Sequence, residues 1–240
     1  DDYLSEVFGQ VAFKENAGVK VMRFGPYTPL GDDMWATMFL PAGSVAGDSV
    51  SKKMPLVIYL HGYYFATGFR RRSAPVIEQF LKAGYAVLAF DLAGFGTRGQ
   101  EVAHFYDRYP RWSEMGKMVS DTRSVIADAY ERMPFVDTSH IYLVGYSLGG
   151  TVALLTAALD PHVKGVAAAC AFSSLRNDNA GTEGTRRFYE IEGLMPRLGL
   201  FSGAEARIPF DFDGVLSGIA PRPLMLITPT GDRDHTIHAV

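Results

Sequence analysis

Five residues, Gly145-Tyr146-Ser147-Leu148-Gly149, carry the clearest chemical signal in this chain. An apolar run with β-branched residues precedes them and a nearly all-apolar run, 148–159, follows, so Ser147 falls at a strand-to-helix junction. A serine held on a tight turn there is presented as a nucleophile for an acyl carbon. The turn needs glycine on both sides, because a side chain at position 145 or 149 would meet the neighbouring backbone. The helix that begins at Leu148 offers free N–H groups to a developing oxyanion. The plain alternative is a Gly-rich turn with a solvent-facing serine, and the strand–helix context argues against it.

The surrounding elements must place that turn. Residues 1–41 read as β-strands at 7–13, 19–24 and 34–40, broken by Gly, Pro and Asp. Residues 41–54 are a polar, Gly-containing connector, and 55–60 form a continuous apolar run, as in a strand buried on both faces. Strands then alternate with helices. Ser73 can cap a helix with Val76, Ile77, Phe80 and Leu81 on one face and Gly84 as its stop. A strand at 85–90 follows, then a helix capped by Ser113, a strand at 141–144 and the buried helix 148–159. Further strands fall at 163–172 and 224–228. This alternation predicts an α/β fold, a mostly parallel sheet with helices on both faces and antiparallel strands at one edge. Ligands of such sheets bind beyond the carboxyl ends of the strands. Residues 173–220 are too long for a plain crossover and are expected to form a cap-like insertion.

His61-Gly62-Tyr63 follows the first buried strand, and with the Ser147 turn the chain resembles the α/β-hydrolase family over nearly its whole length. The resemblance is nearest to the esterase branch of dienelactone hydrolases and acetyl-xylan-type esterases. It extends to Asp91-Leu92-Ala93-Gly94-Phe95-Gly96, which matches that family's Asp-x-x-Gly-x-Gly loop, and to Gly231-Asp232-Arg233-Asp234, which matches its Gly-x-x-Asp acid segment. The resemblance implies a serine carboxylesterase without cofactor. Ser147 is then the nucleophile, Asp234 rather than Asp232 the triad acid, and the N–H groups of Tyr63 and Leu148 the oxyanion donors. His61 becomes structural, bonded to nearby backbone. The implied substrate is a small-molecule ester, short-acyl or carbohydrate-linked. A peptidase of the same fold would use the same roles, and a binding protein that had lost its base would keep the fold.

In that family the base follows the acid, yet none of the six histidines is well placed. His104 and His140 precede Ser147, His162 follows the nucleophile helix, and His235 and His238 share the acid's loop. The base, with a last strand and helix, is therefore expected beyond Val240, and residues 1–240 are expected to be one hydrolase domain. The missing N-terminal Met leaves an exported location open.

Other segments tempt and fail. Gly94-Phe95-Gly96-Thr97-Arg98-Gly99 fits a dinucleotide fingerprint, but an aromatic, broken segment follows it instead of a clean helix. Residues 232–238 hold Asp and His in metal-like density, yet no further Cys/His pair supports a metal site. Arg70-Arg71-Arg72 reads as a solvated turn, or as a lure for an acidic substrate. Tyr63, Tyr64 and Phe65 could wall an acyl pocket, and Met195 and Phe201 could line a lid.

Composition narrows the classes. With 23 Lys+Arg against 26 Asp+Glu, the net charge of −3 disfavours a duplex nucleic-acid binder. No apolar run approaches the roughly 20 residues of a membrane span. The single cysteine, Cys170, cannot form an internal disulfide.

Overall fold

The computed structural model describes residues 19–27, 34–46, 49–50, 52–63, 67–70, 73–177 and 184–230. The strand expected at 7–13, the side chains of Tyr64, Phe65, Arg71 and Arg72, and residues 232–238 with Asp234 lie outside them.

Seven strands form one sheet. They are β1 (Lys20–Tyr27), β2 (Met34–Leu40), β5 (Met54–Leu60), β6 (Ala86–Phe90), β7 (Val136–Tyr146), β8 (Gly165–Ala169) and β9 (Leu224–Ile227), in the order β1-β2-β6-β5-β7-β8-β9. A two-stranded ribbon, β3 (Val45–Ala46) with β4 (Ser49–Val50), occupies the expected connector. From β6 to β9 all neighbours are parallel, while β1 and β2 run antiparallel at one edge. This is the expected α/β-hydrolase architecture. Every residue of β6 is buried, as are all but one of β5, which accounts for their unbroken apolar sequence.

Four helices matter for the site: α1 (Ala74–Lys82), α2 (Glu114–Arg132), α3 (Leu148–Leu159) and α4 (Phe212–Ile219). Helix α3 is apolar nearly all round because it packs on the sheet and is flanked by α2 and α4. Ser113 caps α2 as expected, its hydroxyl accepting from the Gly116 N–H at 3.0 Å. Ser73 does not cap α1. Pro75 has no N–H to donate, the Val76 N–H goes to the Ser73 carbonyl at 3.1 Å, and the buried Ser73 hydroxyl has no partner among the described residues.

The strand expected at 163–172 ends at Ala169, because Cys170 takes φ 52° and turns the chain off the sheet. Between β8 and α4 the described residues form short helical turns at Gly184–Arg186, Arg187–Ile191, Pro196–Phe201 and Glu205–Arg207. Asp211 ties this excursion down. Its carboxylate accepts from Ser174 Oγ at 2.7 Å, from the N–H groups of Leu175 (2.9 Å) and Arg176 (3.0 Å), and from the Phe212 N–H at the start of α4 (2.7 Å). Burial alone would raise this carboxyl's pKa, but these donors outweigh it and hold the group below the usual carboxylate range. At the far ends of α3 and α4, Arg222 donates to the carbonyls of Ala157, Gly218 and Ile219 in the last helical turns and of Asp160 and Val163 just beyond α3.

Among the described residues no helix is long and apolar enough to cross a membrane.

Candidate active site

Ser147 stands between the last residue of β7 and the first of α3, at φ 50° and ψ −121°. A non-glycine residue at positive φ is strained, and such strain persists only where the surroundings enforce it. Here the enforcement is visible. The Ser147 N–H donates to the Ala169 carbonyl at 2.8 Å, fixing the turn to β8. A Cβ on Gly145 would stand 2.2 Å from the Gly149 carbonyl oxygen, and one on Gly149 would stand 2.2 Å from the Leu60 carbonyl oxygen. The glycines let α3 start hard against β5 and β7, so the turn cannot relax. Ser147 is half-buried, and among the described residues no histidine bonds its hydroxyl.

The segment after β5 reaches the same place. Leu60 pairs with Gly145 across the sheet, and a Cβ on Gly62 would lie 2.8 Å from the Tyr146 ring. The backbone leading to Tyr63 therefore abuts the turn that carries Ser147. The structure brings together Ser147, Leu148 and the Tyr63 segment, while Asp234 lies outside the described residues. It also brings β9 to this end of the sheet, because β9 runs parallel to β8 and β7.

His61 is fully buried and both ring nitrogens meet backbone. Nδ1 faces the Gly62 carbonyl oxygen at 2.6 Å, and Nε2 accepts from the Leu92 N–H at 3.0 Å. That pair of partners requires a neutral ring protonated on Nδ1. Burial lowers its pKa further. His61 is a brace between two loops and has no nitrogen free to act as a base.

Asp91 holds the neighbouring loops. It is 2% exposed and accepts from the Phe69 N–H (3.1 Å), Arg70 Nη1 (2.7 Å), the Thr97 N–H (2.9 Å) and Thr97 Oγ1 (2.9 Å). Gly68 and Gly96, both at positive φ, make room for it, since a Cβ on either would sit 1.8 or 2.3 Å from a carboxylate oxygen. Arg70 is thus neither a solvated turn residue nor a lure for substrate; its side chain is 11% exposed and committed to Asp91. Asp91→Ala is expected to cost about 3–5 kcal/mol, because it strands a cation and two backbone donors in a buried place. Urea unfolding of the full-length protein checks this. Asp91→Asn, which keeps an acceptor oxygen, should cost clearly less.

The stretch that fits a dinucleotide fingerprint is a 3₁₀ turn, Gly96–Arg98, with the Arg98 guanidinium packed inward. Arg98 Nη2 meets Asp121 at 2.8 Å, and Lys117 Nζ meets the other oxygen of Asp121 at 2.6 Å. This buried network secures the start of α2 beside the site.

Sequence reasoning missed what faces Tyr63. Its ring packs edge-on against Phe95 at 4.8 Å, and burial, Glu192 and Glu114 all raise its phenol's pKa, keeping the hydroxyl neutral. Glu114 opens α2, where the helix dipole favours a carboxylate, yet burial prevails and lifts its pKa to about 7. The Ser113 cap marks that helix start in the sequence, but nothing local there signals burial. In the unfolded chain Glu114 ionises in the ordinary range, so folding stability tied to it is intact at low pH and declines as pH rises towards about 7. Glu114→Gln should therefore lose less stability than the native protein between about pH 5 and about pH 8. Urea midpoints at the two pH values measure this, and an unchanged decline would refute it.

Residues 51–210 match the serine aminopeptidase S33 family profile. The chain belongs to that family. Among solved structures, this S33 chain is similar to a glucuronoyl esterase from Solibacter usitatus, with TM-score 0.65, 17% identity, and 89% of this chain and 64% of that one covered. It is also similar to the acylaminoacyl peptidase of Pyrococcus horikoshii, with TM-score 0.62, 15% identity, and 95% of this chain and 35% of that one covered. Those likenesses establish the α/β-hydrolase fold. An uncharacterized 31.7 kDa protein of Escherichia coli is 31% identical over 150 residues, 60% of this chain and 44% of its own length. The chain therefore spans less than half of that relative.

Proposed function

We propose that the protein is a serine carboxylic-ester hydrolase that works through an acyl-enzyme on Ser147. The observation that carries this reading is the strained serine at φ 50°, locked between Gly145 and Gly149 at the head of α3. In this reading Ser147 Oγ attacks the ester carbonyl carbon while a histidine oriented by Asp234 takes its proton. The N–H groups of Leu148 and Tyr63 hold the oxygen that becomes negative. The histidine then protonates the departing alcohol, and water releases the acid from the acyl-enzyme by the reverse use of the same groups. The parallel course of β9, which delivers the chain to the Ser147 end of the sheet, supports Asp234 in this role. Residues 173–220 act as a cap over the site, and the substrate is a short-acyl or carbohydrate-linked ester.

A second reading, a peptidase with the same roles, is favoured by the family's name. A fluorophosphonate probe applied to the full-length protein, followed by peptide mapping, is expected to modify Ser147. Hydrolysis of p-nitrophenyl acetate should then exceed that of aminoacyl p-nitroanilides. Faster cleavage of the anilides would establish the peptidase. Absence of both labelling and turnover would leave a binding protein on a hydrolase fold.

A further inference from the structure

A groove of about 320 Å³ lies between the segment that leads into α2 and the turns that follow Leu194. Tyr106, Trp112, Phe201 and Phe210 wall it, and Arg111 and Arg197 are among the residues that line it. Among the described residues, neither Ser147, Leu148 nor Tyr63 lines it, and no acidic side chain does.

The walls are aromatic and stiff. Trp112 is 41% exposed and Phe210 38%, a large apolar area left in water within one concave surface. Prolines 110, 196 and 209 also line the groove and restrict its backbone. A flat apolar ring would remove that area from water at little cost in ordering the walls.

The charge is one-sided. Arg111 comes from the segment before α2 and Arg197 from the turn at Pro196–Phe201, so two separate parts of the chain each give the groove a cation. Arg197 spends one long contact, 3.5 Å, on the Pro110 carbonyl, which leaves most of its guanidinium N–H groups available. Two guanidinium groups without a lining carboxylate favour an anion, and a guanidinium both chelates a carboxylate and stacks on a ring.

Hydroxyl partners are scarce. The Ser113 hydroxyl accepts from the Gly116 N–H, and the Tyr106 hydroxyl donates to the Gly193 carbonyl while accepting from the Glu114 N–H. Beyond the two guanidinium groups, a sugar acid's several hydroxyls would meet mostly aromatic and proline walls, which is costly. An aryl ring buries none.

We propose that this groove is a binding site for an aryl carboxylate, with the ring between Trp112 and the Phe201/Phe210 wall and the carboxylate held by Arg111 and Arg197. The inference is independent of the role given to Ser147.

Calorimetric titration of the full-length protein with 4-hydroxycinnamate tests it. Saturable binding is expected. The corresponding primary amide, equal in shape but uncharged, should bind about tenfold or more weakly, the usual worth of a charge-assisted contact. Trp112→Ala and the double variant Arg111→Met/Arg197→Met should each weaken binding by a similar factor, and Ser147→Ala should leave it unchanged. Equal binding of acid and amide, or tighter binding of glucuronate, would overturn the proposal. So would indifference to Trp112→Ala, disappearance of binding in Ser147→Ala, or absence of saturation. The acid–amide and glucuronate comparisons use the native protein alone, so a variant that fails to fold does not remove the test.

Discussion

Ser147→Ala is expected to lower the turnover of p-nitrophenyl acetate by about 10⁶-fold and to abolish fluorophosphonate labelling. The magnitude follows from the division of labour in a serine hydrolase. Without the nucleophile only the oxyanion donors and substrate binding remain, and these retain roughly 10³–10⁴ over water. The fold should be untouched. Ser147 is half-buried, and its backbone bond to the Ala169 carbonyl does not involve the side chain. Alanine bears the same strain at φ 50° as serine does, so stability is expected to stay nearly unchanged beside the large kinetic loss. Labelling that survived in Ser147→Ala, for example at Ser173 or Ser174 beyond β8, would move the nucleophile elsewhere.

Asp234→Asn is expected to lower kcat in the full-length enzyme by about 10⁴-fold, the usual cost of removing the carboxylate that orients a catalytic histidine. Asp232→Asn should cost far less. The choice rests on the Gly-x-x-Asp spacing from Gly231 and on the apolar Ile237 three residues further on, which suits a chain turning back towards the core. The two variants also serve as mutual controls, because each removes one charge from the same short segment. A larger loss in Asp232→Asn would exchange the two assignments and leave Ser147 in its role.

Much of this architecture is legible residue by residue. The apolar run before Leu60, the cap at Ser113 and the all-apolar helix after Ser147 state their structures locally, because burial and hydrogen-bond demand repeat with the period of the element. The two glycines around Ser147 are legible for the same kind of reason, since only a tight turn between strand and helix uses glycine so consistently. Local reading misled where a competing neighbour decided the outcome. Ser73 reads as a cap, but Pro75 has no N–H and Val76 gives its own to the Ser73 carbonyl, so the hydroxyl bonds neither. The strand through 163–172 looked continuous, but Cys170 turns the chain away after Ala169.

The succession of strands and helices, the parallel sheet with its antiparallel edge, and the serine turn all follow from short-range periodicity and turn chemistry. Which charges are shared follows instead from the path of the whole folded chain. Arg70 with Asp91 is separated by 21 residues, Arg98 with Asp121 by 23, and Arg222 reaches carbonyls more than 60 residues away. That path also decided that Glu114 is half-buried near Tyr63, and that Trp112 and Phe210 share a groove with two arginines. Such pairings depend on where the whole chain path brings distant segments, and on the low dielectric that this packing creates. Neither quantity is encoded in any local pattern of residues.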